Sequence, residues 1–322
     1  MLDMNKRNAR FLARMGARGV LGQAIKDYAD DGHDFFAVSA DLAHASGFDR
    51  IIREYPEKFV DVGIAEQNLL GVAAGLSASH VPVIATTWAM FASVRVADQV
   101  RNFMGYMKHN IKLVGMDSGF TQSRFSYSHS NPPDIAIMRA IPNIIILSPC
   151  DGVEIYKALE CALAYEGPVY IRLTGGTFLP QIHEDLNFKY KIGKAITLRM
   201  GTDVAIISCG AMVKNSLEAA EILESQGISA SVVDMHTIVP LDEQLLDMLQ
   251  QYKLVVTVED HLLHGGIGSA VAEYYARADK HVRQIMLGVD DFYPKPGRVT
   301  YTEEVCGLCP DQIAKQILNR LR

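Results

Sequence analysis

The sequence predicts an α/β protein built from two doubly wound domains. From residue 16 onward, short apolar segments of strand length alternate with segments of helical spacing, and residues 176–192 interrupt this alternation. Near-continuous apolar strands that alternate with helices indicate parallel sheets covered on both faces. The interruption contains Pro180 and no apolar period, so we predict a first domain at 1–180, a linker at 181–192 and a second domain at 193–322.

Local patterns predict the individual elements. In the first domain, the apolar runs that predict strands lie at 35–38, 58–62, 81–86, 111–115, 144–147 and 169–173. The helical spacings between them lie at 16–30, 69–78, 92–108, 134–140 and 152–165. The last of these helices begins at Asp151, with Glu154 at the spacing of a capping box. In the second domain, strands are predicted at 203–208, 229–233 and 254–258, with a helix after residue 210 and another at 268–278.

Composition narrows the function classes. The chain has 322 residues, of which 49% are hydrophobic and 21% charged, and its net charge is -6 without a long basic run. This balance argues against nucleic acid as the main partner. The longest apolar run has only strand length, and the first residues lack the apolar core of a signal peptide. We therefore expect a cytoplasmic protein that does not enter a membrane.

Cysteine usage argues against disulfides and metal binding. The cysteines are five in number and irregularly spaced, which does not suit a disulfide framework. Cys306 and Cys309 form a lone C-x-x-C motif without a second pair or a nearby histidine, and we interpret them as ordinary reduced thiols. The sequence assigns no metal ligand to this chain.

The most informative segment is Val-Gly-Ile-Ala-Glu-Gln-Asn at 62–68, where a predicted strand turns into a helix. Glu66 falls in the first helical turn, where the helix dipole favours an acidic side chain and the side chain is usually on the surface. Here its neighbours are apolar, namely Val62, Ile64, Leu69 and Leu70. They are compatible with a buried carboxyl group, and burial favours a protonated or strongly hydrogen-bonded acid.

Four segments of the chain resemble the C-terminal half of a transketolase. In the family's order they are the segment 62–68, Met-Arg-Ala-Ile-Pro-Asn at 138–143, Pro-Val-Tyr-Ile-Arg at 168–172 and Met-His-Thr-Ile-Val-Pro-Leu-Asp at 235–242. The resemblance extends over most of the chain. It implies a pyrimidine-binding domain followed by the transketolase C-terminal domain, with thiamine diphosphate as the cofactor.

The resemblance also implies which residues bind and activate the cofactor. Glu66 matches the family's catalytic acid, which hydrogen-bonds the aminopyrimidine ring and promotes the tautomer that removes the C2 proton of the thiazolium. Phe91 matches the aromatic residue that stacks on this ring, with Trp88 as the second candidate and core packing as the alternative for both. Asp41 follows a strand end, where open α/β sheets bind ligands, and is a further candidate.

Two residues are implied to face the substrate. His129 matches a catalytic histidine that orients a hydroxyl or carbonyl group or transfers a proton. Arg18 matches an arginine that contacts a substrate phosphate, with an exposed arginine at a helix start as the alternative. By contrast, we interpret His261 and His264, in a segment typical of the family's C-terminal domain, as structural or interface residues.

The substrate pocket departs from the family pattern at three places. Asp117 stands where the family has a histidine, and Gly175 where it has a second phosphate-binding arginine. Arg124 and Phe125 replace an acidic pair ahead of His129. Glycine cannot make the bidentate phosphate contact of an arginine. We therefore expect a substrate other than the usual sugar phosphates, with Asp117 and Phe125 in its pocket.

The sequence also lacks the Gly-Asp-Gly segment and paired asparagines with which the family binds magnesium and the diphosphate. The resemblance thus implies half of an active site. Mg²⁺ and the diphosphate would be bound mainly by a separate diphosphate-binding subunit, in an α₂β₂ heterotetramer whose pyrimidine domains meet across a two-fold axis.

The predicted function is that of the β-type subunit of a split transketolase-like transferase, which moves a two-carbon ketol or acyl unit between small molecules. Among enzymes, the alternatives are the E1 β subunit of a 2-oxo acid dehydrogenase and a deoxyxylulose-phosphate-synthase-like activity. The alternative of another class is a non-catalytic partner subunit. The combination of Glu66, Phe91 and His129 argues against it, since packing alone does not require all three.

Overall fold

The computed structural model describes residues 2–130, 133–176, 178–183 and 186–321. Its strands form one seven-stranded and one five-stranded sheet. In chain order the strands are β1 (Phe36–Ser39), β2 (Phe59–Asp61), β3 (Val83–Trp88), β4 (Ile111–Met116), β5 (Ile145–Leu147), β6 (Val169–Arg172), β7 (Ile196–Arg199), β8 (Val204–Ser208), β9 (Ala230–Asp234), β10 (Thr237–Val239), β11 (Leu254–Leu262) and β12 (Gln284–Val289).

The helices cover both faces of the two sheets. They are α1 (Lys6–Asp30), α2 (Asp49–Glu54), α3 (Glu66–Ser77), α4 (Ala97–Gln99), α5 (Asp134–Arg139), α6 (Gly152–Ala164), α7 (Met212–Ser225), α8 (Glu243–Leu249), α9 (Ile267–Tyr275), α10 (Val299–Val305) and α11 (Pro310–Leu321). Where the sequence predicts one helix at 92–108, α4 is instead flanked by the π-helical turns Phe91–Arg95 and Val100–Tyr106. Such wide turns are frequent at functional sites.

Both sheets are mainly parallel, which confirms the predicted fold class. The first has the order β10-β5-β6-β4-β3-β1-β2, and the second β12-β11-β8-β9-β7. In the pairs observed, only β10 and β7 run antiparallel to their neighbours. Every residue of β4 and of β8 is buried, as expected for strands covered on both faces. Because β10 follows the linker in sequence but joins the first sheet, the two halves of the chain share a hydrogen-bonded sheet.

The start of α6 follows local capping chemistry. The Asp151 carboxylate accepts a hydrogen bond from the backbone N–H of Glu154 at 2.8 Å, as the sequence predicts. The Glu154 side chain accepts from the N–H of Cys150 at 2.6 Å rather than from that of the cap residue. Among the helices of the described residues, none has both the length and the apolar character that crossing a bilayer requires.

A buried ionic network joins the two halves. The guanidinium of Arg172, at the end of β6, donates from Nε to Asp134 Oδ2 at 3.0 Å and from Nη1 to Asp260 Oδ1 at 2.7 Å. Asp134 begins α5 and Asp260 lies in β11. All three side chains are almost completely buried, so each charge depends on its partners for compensation.

His261, also in β11, is a structural residue at the same contact between the two halves. Its Nε2 accepts the backbone N–H of Ala136 at 3.2 Å, and its Nδ1 lies 2.7 Å from the carbonyl oxygen of Leu262. This pattern requires a neutral ring with its proton on Nδ1. Burial, aided by the positive charge of Arg172, lowers the pKa of His261 to about 3.

We therefore expect His261→Gln to flatten the pH dependence of stability. Between pH 6.5 and 3 the unfolded chain binds a proton at this histidine and the folded chain does not, so acidification favours unfolding. From pH 6.5 to 5, wild type should lose about 2 kcal/mol more of its free energy of unfolding than the variant. Urea unfolding at the two pH values measures this difference. The exposed His33→Gln should keep the wild-type slope, and equal slopes for His261→Gln would contradict the assignment.

Candidate functional site

The candidate active site lies at the carboxyl ends of the strands in the first sheet. Asp41 follows β1, Glu66 follows β2, Trp88 ends β3, Asp117 follows β4 and Gly175 follows β6. Strands β6, β4, β3, β1 and β2 are consecutive and parallel. Their carboxyl ends therefore meet at one edge, which is where open α/β sheets bind ligands.

Glu66 is the first residue of α3, and its side chain is buried although it begins a helix. The preceding turn depends on Gly63, whose φ is +71°. The Asp61 carboxylate holds this turn, because its Oδ1 accepts the backbone N–H of Gly63 at 2.8 Å and that of Asp41 at 3.1 Å. Asp61, which the sequence did not single out, thus connects the loop after β1 to the turn that presents Glu66.

Arg95 contacts both Glu66 and Phe91. Its Nη1 donates to Glu66 Oε1 at 3.0 Å, and its guanidinium carbon lies 3.9 Å from the centre of the Phe91 ring. One flat group thus bridges a buried carboxylate and an aromatic face. The sequence did not identify Arg95, because its approach to Glu66 depends on the π-helical turn Phe91–Arg95.

His129 also contacts Phe91 and so belongs to this group of residues. Its ring makes an edge contact with Phe91 at a centroid distance of 5.5 Å and lies 5.2 Å from the ring of Phe125. Its Nδ1 is 3.0 Å from Ser128 Oγ. The structure therefore brings together Glu66, Phe91, His129 and Phe125, which are distant in sequence.

Asp117 and Gly175 form one structural unit. Asp117 has a φ of +51° and accepts a hydrogen bond from the amide of Gln122. The backbone N–H of Gly175 donates to Thr121 Oγ1 at 2.9 Å. A Cβ added at Gly175 would lie only 1.8 Å from Asp117 Oδ1. The missing side chain at 175 thus leaves the space that the Asp117 carboxylate occupies, so the residues at 117 and 175 depend on each other.

Burial and nearby charges shift the pKa of the Asp117 carboxyl group. Burial raises the pKa of Asp117, while the Gln122 hydrogen bond and the positive charges of Arg124 and Arg18 oppose this rise. Arg18 is exposed on α1, just after the kink at Gly16. Its charge therefore reaches the Asp117 side of the site, although its side chain lies at the surface.

Two predicted cofactor residues lie less centrally. Trp88 packs, partly buried, against the core that includes α1 and α6, which favours a packing role. Asp41 is exposed and has a φ of +58°. Its backbone N–H, rather than its carboxylate, makes the contact with Asp61.

Exposed apolar side chains lie on the turn before α3 and on the two π-helical turns. Ile64, just before α3, is 77% exposed, and Tyr106, at the end of the second π-helical turn, is 80% exposed. Val94 and Met107, on or beside the same turns, are also exposed. Apolar surface of this kind marks sites of protein association, and Ile64 places such surface directly before Glu66.

Comparison with known proteins identifies the family. The model described as transketolase, pyrimidine binding domain matches residues 13–177, and the model described as transketolase, C-terminal domain matches residues 193–313. The chain belongs to the transketolase family, as its resemblance predicts.

Several similar proteins are subunits rather than complete transketolases. The 6-deoxy-6-sulfo-D-fructose transketolase subunit SqwH of Clostridium sp. (strain MSTE9) is 38% identical over 90% of this chain and 90% of the relative. One of the subunits of the apulose-4-phosphate transketolase of Actinobacillus succinogenes is 35% identical over 88% of this chain and 89% of the relative. A solved structure described as "Split gene transketolase, inactive beta4 tetramer" has a TM-score of 0.84 and 33% identity, covering 95% of this chain and 97% of that chain. Family membership implies a transferase dependent on thiamine diphosphate, and these relatives imply a separate partner subunit.

Proposed function

We propose that this chain is the β-type subunit of a split transketolase and supplies the half of the active site that activates thiamine diphosphate. The contact of Arg95 with both Glu66 and Phe91 carries this proposal. It places a buried carboxylate and an aromatic face within reach of one flat, hydrogen-bonding group. An aminopyrimidine ring needs the same two contacts, and its binding would displace Arg95 from the Phe91 ring.

In this role each side chain has a distinct task. Bound thiamine diphosphate supplies a carbanion and an electron sink. Glu66 offers its carboxyl group to the ring nitrogen, and its burial keeps water from competing for this hydrogen bond. Phe91 orients the ring. His129, with Nδ1 beside Ser128 Oγ, orients a substrate oxygen or moves a proton at Nε2. Asp41 and Trp88 stay weaker candidates for cofactor binding.

A partner subunit would complete the site. We propose that the partner binds the diphosphate and Mg²⁺, and that the assembly is an α₂β₂ heterotetramer in the cytoplasm. Exposed Ile64, just before Glu66, supports an interface beside Glu66. The description of the solved split-gene relative as an inactive β₄ tetramer agrees with a half-site that does not work alone.

For the substrate, we propose a ketose or related donor whose distal group is not held by an arginine at position 175. Asp117, supported by Gln122, would instead offer a hydrogen-bond acceptor to hydroxyl groups there. Relatives named for 6-deoxy-6-sulfo-D-fructose and apulose-4-phosphate transfer support a ketose more than a 2-oxo acid donor.

Reconstitution with the partner chain tests the proposed function. Thiamine diphosphate titration of the co-purified pair should show saturable binding that requires Mg²⁺, followed by a donor and acceptor screen. The isolated chain serves as the control and should show no turnover. Absence of binding and of C2 proton exchange in the pair would favour the non-catalytic alternative.

The Asp117–Gly175 unit makes a separate prediction. Gly175→Ala should lower the free energy of unfolding by about 1–3 kcal/mol, because the new Cβ overlaps Asp117 Oδ1. Asp117→Ser in the same chain should restore part of this loss, because the new Cβ also lies 2.6 Å from Thr121 Cγ2. Chemical denaturation measures both variants, and Gly75→Ala, where the added Cβ meets open space, is the matched control. An Asp117→Ser change that restores nothing would show that the two positions are not coupled.

A further inference from the structure

Four buried side chains from three parts of the chain converge on a second polar cluster. Cys150 and Glu154 lie at the start of α6, His183 lies in the linker, and Asp234 ends β9. Each residue is at least nine-tenths buried. The active-site mechanism uses none of them.

The spacing of their polar atoms is that of a metal site. Cys150 Sγ lies 3.8 Å from His183 Nε2 and 3.4 Å from Asp234 Oδ2. His183 Nε2 lies 3.6 Å from Glu154 Oε1 and 4.0 Å from Asp234 Oδ2. Tetrahedral zinc with bonds of about 2.0–2.3 Å separates its ligand atoms by about 3.3–3.7 Å. Four of the distances between ligand atoms are thus close to those of a tetrahedral site, and one atom from each residue lies within 4.8 Å of all the others.

Unsatisfied acceptors in the cluster point independently to a ligand. Glu154 Oε1 and Asp234 Oδ1 are buried and accept no hydrogen bond from the described part of the chain. Burying a polar atom without a partner is costly, and two carboxyl groups here share one histidine. A divalent cation bound at Glu154 Oε1 would compensate the negative charge and fill that open acceptor position.

Surrounding contacts hold the four side chains in place. The His183 ring stacks on Phe188 at a centroid distance of 4.0 Å. The second oxygen of Asp151 accepts the backbone N–H groups of Ile182 at 2.9 Å and of His183 at 3.1 Å. Glu154 Oε2 accepts from the N–H of Cys150. Outer contacts of this kind orient the ligands of metal sites.

We propose that Cys150, Glu154, His183 and Asp234 form a structural zinc site that fastens the linker to both halves of the chain. Thiolate, imidazole and carboxylate are the ligand types that zinc takes in proteins. Four protein ligands leave no open position, so the site is structural rather than catalytic. It is separate from the Mg²⁺ that the partner would hold.

Metal analysis of the full-length, tag-free chain tests this site. After dialysis, mass spectrometry should find about one zinc ion per chain. Cobalt added to the metal-free chain should give a thiolate-to-cobalt charge-transfer band together with intense tetrahedral visible bands. Because these measurements use the wild-type chain, they do not depend on the folding of a variant.

Substitutions of the proposed metal-binding residues, with a second cysteine as the control, identify which side chains bind the metal. Cys150→Ser should abolish the charge-transfer band, and His183→Gln should lower the zinc content several-fold. Cys306→Ser, in the C-x-x-C motif, should retain both signals. Failure of the wild-type chain to bind either metal stoichiometrically would overturn the proposal, as would a charge-transfer band that survives in Cys150→Ser. Neither result would bear on the proposed role of Glu66, which is tested separately by C2 proton exchange in thiamine diphosphate.

Discussion

Glu66→Ala is expected to reduce the rate of C2 proton exchange in thiamine diphosphate by at least about 100-fold. Glu66→Gln should do nearly the same. Glu66 is the buried carboxyl group of this turn, whereas the Asp61 carboxylate is exposed and accepts backbone N–H groups. Neither alanine nor an amide can replace the Glu66 carboxyl group against a ring nitrogen. The measurement is hydrogen–deuterium exchange followed by NMR, on the reconstituted pair saturated with cofactor.

Assembly provides the control for this prediction. Because α3 begins without a side-chain capping hydrogen bond, replacing Glu66 should leave the complex with the partner intact by size-exclusion chromatography. Glu57→Gln, at an exposed carboxylate close to β2, should exchange at the wild-type rate. Wild-type exchange in Glu66→Ala would show that another group activates the cofactor.

Arg172→Met should lower the free energy of unfolding by about 3–5 kcal/mol. The substitution leaves the carboxylates of Asp134 and Asp260 buried without their cation, while the methionine fills most of the volume. Urea denaturation of the full chain measures the loss. The matched control is Arg199→Met, whose partner Glu224 is largely exposed; there the loss should stay below about 1 kcal/mol.

Neutralising the carboxylates distinguishes lost charge from lost packing. Asp134→Asn and Asp260→Asn, added to Arg172→Met, should recover part of the stability because fewer uncompensated charges stay buried. If Arg172→Met destabilises no more than Arg199→Met, the network does not hold the two halves together.

Local patterns predicted much of the fold because their causes are local. Strands covered on both faces need apolar residues throughout, and the predicted strand at 111–115 corresponds to the fully buried β4. Asp151 caps α6 because a side-chain oxygen and an N–H three residues later are neighbours in any helix start. Strand β10 was missed, since three residues that pair with a strand far away in sequence carry no period of their own.

The candidate site also has features that the sequence predicted and contacts that it did not predict. The order of apolar and acidic residues placed Glu66 at a strand–helix junction, and the family pattern related Phe91 and His129 to it. The contact of Arg95 with Glu66, the dependence of Asp117 on Gly175 and the convergence of Cys150 with His183 were not evident. Each of these contacts joins residues that are far apart in the sequence, so the periodicity of a helix or strand does not reveal it.

The sequence by itself determined the α/β class, the alternation of strands and helices, and a carboxylate at the site edge, because these depend on neighbours along the chain. Only the tertiary structure decided which side chains meet: Arg95 over Phe91, Asp117 in the space left by Gly175, and four ligand-type residues in one buried cluster. The physical reason is that hydrogen bonds, ring contacts and buried charges act over a few ångströms in space. Residues far apart in the chain come within that range only when strands and loops have packed.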